Sequence, residues 1–171
     1  PDQGTGLTDA GKALVTACDQ MNMLLDVSHL NEAGFWDIAR LSHQPILASH
    51  SNAHALCPSP RNLTDRQLDA VAESGGLVGV CFATAYLRSD GRKDPATDIE
   101  IVLRQLAYLV NRMGEDHVGL GSDFDGAVLP DDLADCSQLP VLIKALLTHG
   151  FGSQLVRKLC WDNWHRQIER L

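Results

Sequence analysis

The sequence has no CxxC pair, no basic run longer than two residues, no glycine-rich nucleotide fingerprint and no internal repeat. Each absence excludes a class. Five cysteines (Cys18, Cys57, Cys81, Cys136 and Cys160) make an odd number without paired spacing. Neither a disulfide scaffold nor a structural zinc site of cysteines is therefore expected, and free thiols in a reducing cytoplasm fit better. The longest basic runs are Arg92-Lys93 and Arg157-Lys158, and the formal net charge is −8. Such a surface repels phosphate backbones, so no nucleic-acid partner is expected. No apolar run approaches the ~18 residues of a membrane span. The stretch Gly119–Gly126 looks superficially like a phosphate loop, but it holds no lysine and no GxGxxG. The chain opens on Pro1 rather than Met, and Pro1–Gly6 reads as loop, so the lack of a signal peptide there excludes little.

What is present is an ordinary globular composition. Of 171 residues, 44% are hydrophobic and 21% charged, enough to bury the core of a single domain spanning the whole chain. Helical and strand patterns alternate. Thr8 caps a helix to about Met21, and Met23–Val27 reads as a short strand ending in Ser28-His29. Asn31 caps a second helix to about Leu41, and Pro45–Ala48 is a strand ending in Ser49-His50. Thr64-Asp65-Arg66-Gln67 is a capping box for a helix to about Ser74, followed by a strand over Leu77–Phe82. A second box, Thr97-Asp98-Ile99-Glu100, opens a helix with Ile99, Val102, Leu103, Leu106, Val110 and Met113 on one stripe. His117–Gly121 is the fourth strand. From about Gln138 the chain reads as helices over Leu139–His149, Ser153–Leu159 and Asp162–Leu171. The strands are short and apolar without alternation, so they are expected to be buried on both faces of a parallel α/β sheet.

Parallel α/β sheets build their sites on the rim of strand C-termini. Three of the four strands run into His29, His50 and Asp123 there. The two histidines are 21 residues apart, about one strand–helix unit, so they come from adjacent strands. Two imidazoles and a carboxylate on one rim form a divalent-metal set. Read singly, either histidine is as well explained as a hydrogen-bonded residue at a strand end, and Asp123 as a turn residue. Asp26, inside an apolar run, reads equally as an orienting group behind a ligand or as half of a buried ion pair. Arg61 is either a surface residue or a bidentate clamp for a substrate carboxylate. His43, His54, His149 and His165 lack rim placement and read as surface or core residues.

These segments together resemble a known family. Gly6-Leu7-Thr8 and Met21 through His29 look like the middle of the membrane (renal) dipeptidase family, peptidase family M19. So do Ser49-His50-Ser51-Asn52-Ala53, Arg61-Asn62-Leu63-Thr64-Asp65, Gly75 through Val80, and His117 through Gly126. The matches keep the family's order and cover nearly the whole chain.

The resemblance implies the C-terminal half of a distorted (β/α)8 barrel, about four strand–helix units plus C-terminal helices. It implies a zinc-dependent dipeptidase acting through a metal-bridging water. His29 and His50 match the histidines of one zinc, Arg61 the arginine for the substrate carboxylate, and Asp123 the aspartate that handles the proton. The family's second zinc uses a His-x-Asp pair, a bridging glutamate joins both ions, and a further histidine steadies the intermediate. None has a counterpart here, and no His-x-Asp occurs anywhere in the chain. At most one weak zinc site is therefore expected, with little activity from residues 1–171 alone. The missing N-terminal half of the barrel is expected from an omitted segment, a cleaved chain or a partner copy in a homodimer. Otherwise two open sheet edges remain. Two rival readings stand beside this one: a non-catalytic binding module that kept the rim, and a different metal-dependent amidohydrolase on the same barrel.

Overall fold

A computed structural model describes residues 4–170. The first three residues of the expected N-terminal loop and the last residue of the expected C-terminal helix, Leu171, lie outside the described residues. Four parallel strands lie in the order β1-β2-β3-β4: Leu25–Asp26, Ile46–Ser51, Leu77–Cys81 and Val118–Ser122. The crossovers are α1 (Asp9–Gln20) and α2 (Glu32–Leu41) around β1, α3 (Asp65–Glu73) before β3, and α5 (Glu100–Met113) before β4, with the short α4 (Thr84–Leu87) after β3. Every residue of β3 is buried, as an unalternating strand covered on both faces must be. The expected parallel α/β architecture is the one observed.

Local chemistry sets most boundaries. Thr8 Oγ1 accepts from Gly11 N at 3.2 Å, and Asn31 Oδ1 from Gly34 N at 2.8 Å, capping α1 and α2. Gln67 Oε1 accepts from both Thr64 N (2.9 Å) and Thr64 Oγ1 (2.8 Å) at the start of α3. The second expected capping box is not formed. Thr97 is buried; its hydroxyl donates to Asp94 O and accepts from Arg88 Nη1 at 3.4 Å rather than from the α5 backbone. Asp98 Oδ1 accepts from Glu100 N at 2.9 Å instead, and α5 begins at Glu100. On α5 the buried stripe includes Gln105 and Leu109, with Val110 only half-buried.

The C-terminal region also differs from expectation. After α6 (Leu139–Thr148), α7 (Ser153–Arg157) and α8 (Asn163–Ile168) run on without the expected break, joined by a π-turn over Lys158–Asp162. Leu159, Asn163 and Gln167 all face inward along this run and are buried. Asn163 Nδ2 donates to Glu115 O and Val118 O, each at 2.7 Å, and Trp164 Nε1 to Leu120 O at 2.9 Å. The carbonyl of His117 bonds Val78 N on β3, so by alternation those of Val118 and Leu120 point away from β3. Side chains of α8 thus occupy the outer carbonyls of β4. As expected of an open sheet, β1 and β4 are both edge strands among the described residues; two carbonyls of β4 are bonded by side chains, and the approach to β1 exposes Met21 and Met23.

Two glycines shape the sheet's interior. A Cβ on Gly79 would lie 2.1 Å from Ser49 O, and one on Gly121 2.2 Å from the same atom. Only glycine lets β2 press so close to β3 and β4, and the β2–β3 register shifts between Ala48 and Ser51.

Asp19 locks α1 to the end of α2. Its carboxylate accepts from Ser42 Oγ (2.6 Å), His43 N (2.7 Å) and His43 Nδ1 (2.9 Å), with the side chain 12% exposed. Burial alone would raise its pKa, but the bonds from Ser42 and His43 outweigh it and hold the group below its ordinary 3.8. A depressed folded pKa contributes stability that is present above the unfolded value and lost as pH falls through the folded one. Asp19→Ala is expected to lower stability by about 2 kcal/mol at pH 7. Urea melts should show the gap to wild type narrowing only below about pH 4.

Candidate metal centre and substrate pocket

All four strands deliver their C-termini to one rim, as parallel pairing requires. His50 sits within β2 rather than beyond it, because the ladder continues to Ser51. His29 follows β1 by three residues and Asp123 follows β4 directly, both left-handed at φ 72° and 71°. Ser122 and Asp125 also have positive φ, so the β4 rim loop is strained as a unit.

The rim brings the two histidines together. His29 Nε2 lies 2.9 Å from His50 Nε2, with ring centroids 4.9 Å apart. Two nitrogens bound to one tetrahedral zinc at 2.0–2.1 Å sit about 3.3 Å apart, so a small outward shift fits an ion between them. The donor chemistry fits as well: burial first, then the positive charges of Arg61 and His50, lower the pKa of His29 against the pull of Asp123 and Asp26. Neutral imidazole is the ligating form. Among the described residues no cluster of three or more His, Cys, Asp or Glu side chains could hold a metal ion, so the rim offers at most this pair of imidazoles.

Asp26 makes no ion pair among the described residues. Its Oδ1 accepts from Ser28 N and Ser49 N, each at 2.9 Å, and its Oδ2 from Ser49 Oγ at 2.5 Å. Burial opposes ionisation, yet the Ser49 and Ser28 bonds win and its pKa falls. Of the two readings of Asp26, the buried ion pair is thus not formed.

Arg61 stacks over Tyr86, its guanidinium carbon 5.3 Å from the ring centroid. Tyr86 O in turn accepts from Asn52 Nδ2 (3.2 Å) and Asn62 Nδ2 (2.8 Å), which fixes the stacking platform. Arg61 Nε is buried without a partner among the described residues, and Arg61 lines a cavity of about 300 Å³. His29, His54, Thr64 and Gln67 also line that cavity. A second cavity of about 310 Å³ holds His29, Tyr86, Lys93 and Asp123. His29 is common to both, so it stands between the cavity of Arg61 and that of Asp123. His54, read as a filler, lines the arginine's cavity. Tyr86 and Lys93 carry no sequence signal for a site; only the fold brings them here.

Asp123 rests on a thiol. Cys81 Sγ donates to Asp123 Oδ2 at 3.6 Å and accepts from Ala83 N at 3.4 Å. Burial, with Asp123's negative charge adding to it, pushes the thiol up to about 12, so it stays a donor. A Cβ on Gly126 would lie 2.5 Å from Asp123 Oδ1, so that glycine gives the carboxylate its room.

The chain is matched along residues 1–171 by the model of a family described as membrane dipeptidase, peptidase family M19. It is 52% identical over its whole length to an uncharacterized protein in the pqqA 5′ region of Klebsiella pneumoniae, of which it covers 63%. It is 34% identical over 169 residues to the dipeptidase tcpJ of Claviceps purpurea, of which it covers 39%. Among solved structures, it superposes on a metallopeptidase from Rhodobacter sphaeroides liganded with a phosphinate mimic of the dipeptide L-Ala-D-Ala. That match has a TM-score of 0.97 and 55% identity, over 99% of this chain and 48% of the other. The M19 dipeptidase AC gives the same TM-score and identity, with 50% of its chain covered. The chain thus spans about half the length of these solved relatives.

Proposed function

The chain belongs to the membrane dipeptidase family, peptidase family M19, and on that premise we propose that it carries the proton-transfer and carboxylate-binding side of a zinc-dependent dipeptidase. The observation that carries this is the meeting of His29 Nε2 and His50 Nε2 at 2.9 Å, with His29 on the wall of the cavity that Asp123 also lines. The two histidines would hold one zinc ion through Nε2. Bound zinc supplies Lewis acidity and a water acidified to near neutral pH.

The chain's own residues do the rest. Arg61, which lines the cavity beside His29, takes the substrate's C-terminal carboxylate through its guanidinium. Its stacking on Tyr86 fixes the plane in which a carboxylate is met. Asp123 accepts a proton from the attacking water at its carboxylate and delivers it to the leaving amine nitrogen as the C–N bond breaks. Two histidines are fewer protein ligands than a catalytic zinc wants, so the remaining ligands, with those that would hold a second zinc, would come from outside this chain. An N-terminal barrel half or a partner copy at the open β1 edge would supply them. The five unpaired thiols support a cytoplasmic setting.

Release of free amino acids from dipeptides by the natural full-length protein is expected to stop on chelation and return with zinc. Arg61→Gln is expected to raise KM by about 100-fold for free dipeptides and far less for C-terminally amidated ones. Full turnover after exhaustive chelation would overturn the reading.

A further inference from the structure

We infer that Asp26 and Ser49 are positioning residues that hold the His50 ring with its proton on Nδ1 and aim Nε2 at the metal. The inference rests on the reading of His50 as a zinc ligand, and deepens it.

The direction of every bond in the network follows from counting protons. Asp26 is acceptor-only when ionised. It takes two backbone N–H groups on Oδ1, from Ser28 and Ser49, and the Ser49 hydroxyl on Oδ2 at 2.5 Å. That spends the one proton Ser49 Oγ has. Ser49 Oγ also lies 2.7 Å from His50 Nδ1, and with its proton spent it can only accept there. Nδ1 must therefore carry hydrogen. In a neutral ring this leaves the lone pair on Nε2, the atom that faces His29.

Ser28 completes the arrangement. Its Oγ accepts from His50 N at 3.1 Å and lies 3.5 Å from Ser49 Oγ, to which it can donate. Ser49 Oγ then has one donated and two accepted bonds, its full capacity. The serines that precede the two histidines thus belong to one frame, anchored on a single carboxylate. The ring is gripped at Nδ1 and its backbone at N, so the remaining freedom at χ1 and χ2 is small. Carboxylates behind ligating histidines fix the tautomer and raise ligand basicity, and losing them typically weakens metal binding 10- to 100-fold. Here one hydroxyl relays that influence.

The test uses the natural full-length protein, stripped of metal and titrated with zinc against a chromophoric chelator. Ser49→Ala and Asp26→Asn are each expected to weaken zinc about 10- to 100-fold. The double variant should be no weaker than the worse single one, because both act through one atom. Ser49→Thr, which keeps the hydroxyl, should bind nearly as wild type. Long-range proton–nitrogen NMR of the metal-free protein should find His50 protonated on Nδ1, and this preference should vanish in Ser49→Ala. Unchanged zinc affinity in a folded Ser49→Ala, or a native His50 carrying its proton on Nε2, overturns the inference. His50→Ala separates the two levels. If it loses zinc while Ser49→Ala does not, only the relay fails; if His50→Ala also binds zinc normally, the metal reading itself fails.

Discussion

Asp123→Asn is expected to lower kcat by about 10²- to 10⁴-fold while zinc stays bound and the protein stays folded. The substitution keeps the shape and the turn but removes the group that takes and returns the proton. Three features make it a clean test. The residue sits at φ 71°, a conformation that asparagine tolerates among the best of the non-glycine residues, so the backbone is not disturbed. Its side chain meets the Cys81 thiol at 3.6 Å, and an amide oxygen accepts that weak bond as a carboxylate does. It is also not one of the two converging nitrogens. Steady-state kinetics and a thermal melt suffice. A folded Asp123→Asn enzyme that keeps more than a tenth of wild-type kcat excludes the aspartate as proton carrier.

His29→Ala should cost more than 100-fold in zinc affinity, and with it the activity. Structural zinc sites of four ligands release about 10–16 kcal/mol on binding, so each ligand carries about 3 kcal/mol, or over two decades in affinity. The position adds a second, opposite effect. His29 is left-handed at φ 72°, a conformation that costs an ordinary residue about 1 kcal/mol and glycine almost nothing. His29→Gly should therefore match His29→Ala in lost zinc binding but exceed it in stability by about 1 kcal/mol when both are metal-free. Chelator titration and chemical denaturation measure the two quantities separately. Equal stabilities of the glycine and alanine variants would show that no backbone strain is held at this ligand.

The sequence makes legible what depends on local pattern. Unalternating apolar runs give the parallel sheet, and the caps at Thr8, Asn31 and Thr64 place three helix starts, because capping is decided within four residues. Thr97 defeats the same rule: its hydroxyl donates to Asp94 O in the preceding turn and accepts from Arg88 Nη1, nine residues back, which the loop folds into reach. The π-turn is likewise invisible, since it exists to bring Asn163 and Trp164 onto the carbonyls of a strand some 45 residues earlier. In the site, rim placement of His29, His50 and Asp123 follows from strand ends alone. The role of Asp26 does not. An acid in an apolar strand fits an orienting group or an ion pair equally well until Ser49 is seen to lie between it and His50. Arg61 is visible as a candidate but its platform is not, because Tyr86 comes from the short α4, which has no periodic signal.

The side-chain bonds on β4 bear on how copies of this chain can meet. A strand approaching that edge must first displace Asn163 from Val118 O and Trp164 from Leu120 O. The β1 edge asks for no such displacement, though it is only two residues long. A sheet with two free edges adds copies without limit and grows towards a fibre; one with a single receptive edge is used up by its first encounter. Edge pairing between copies is therefore expected at β1 before β4.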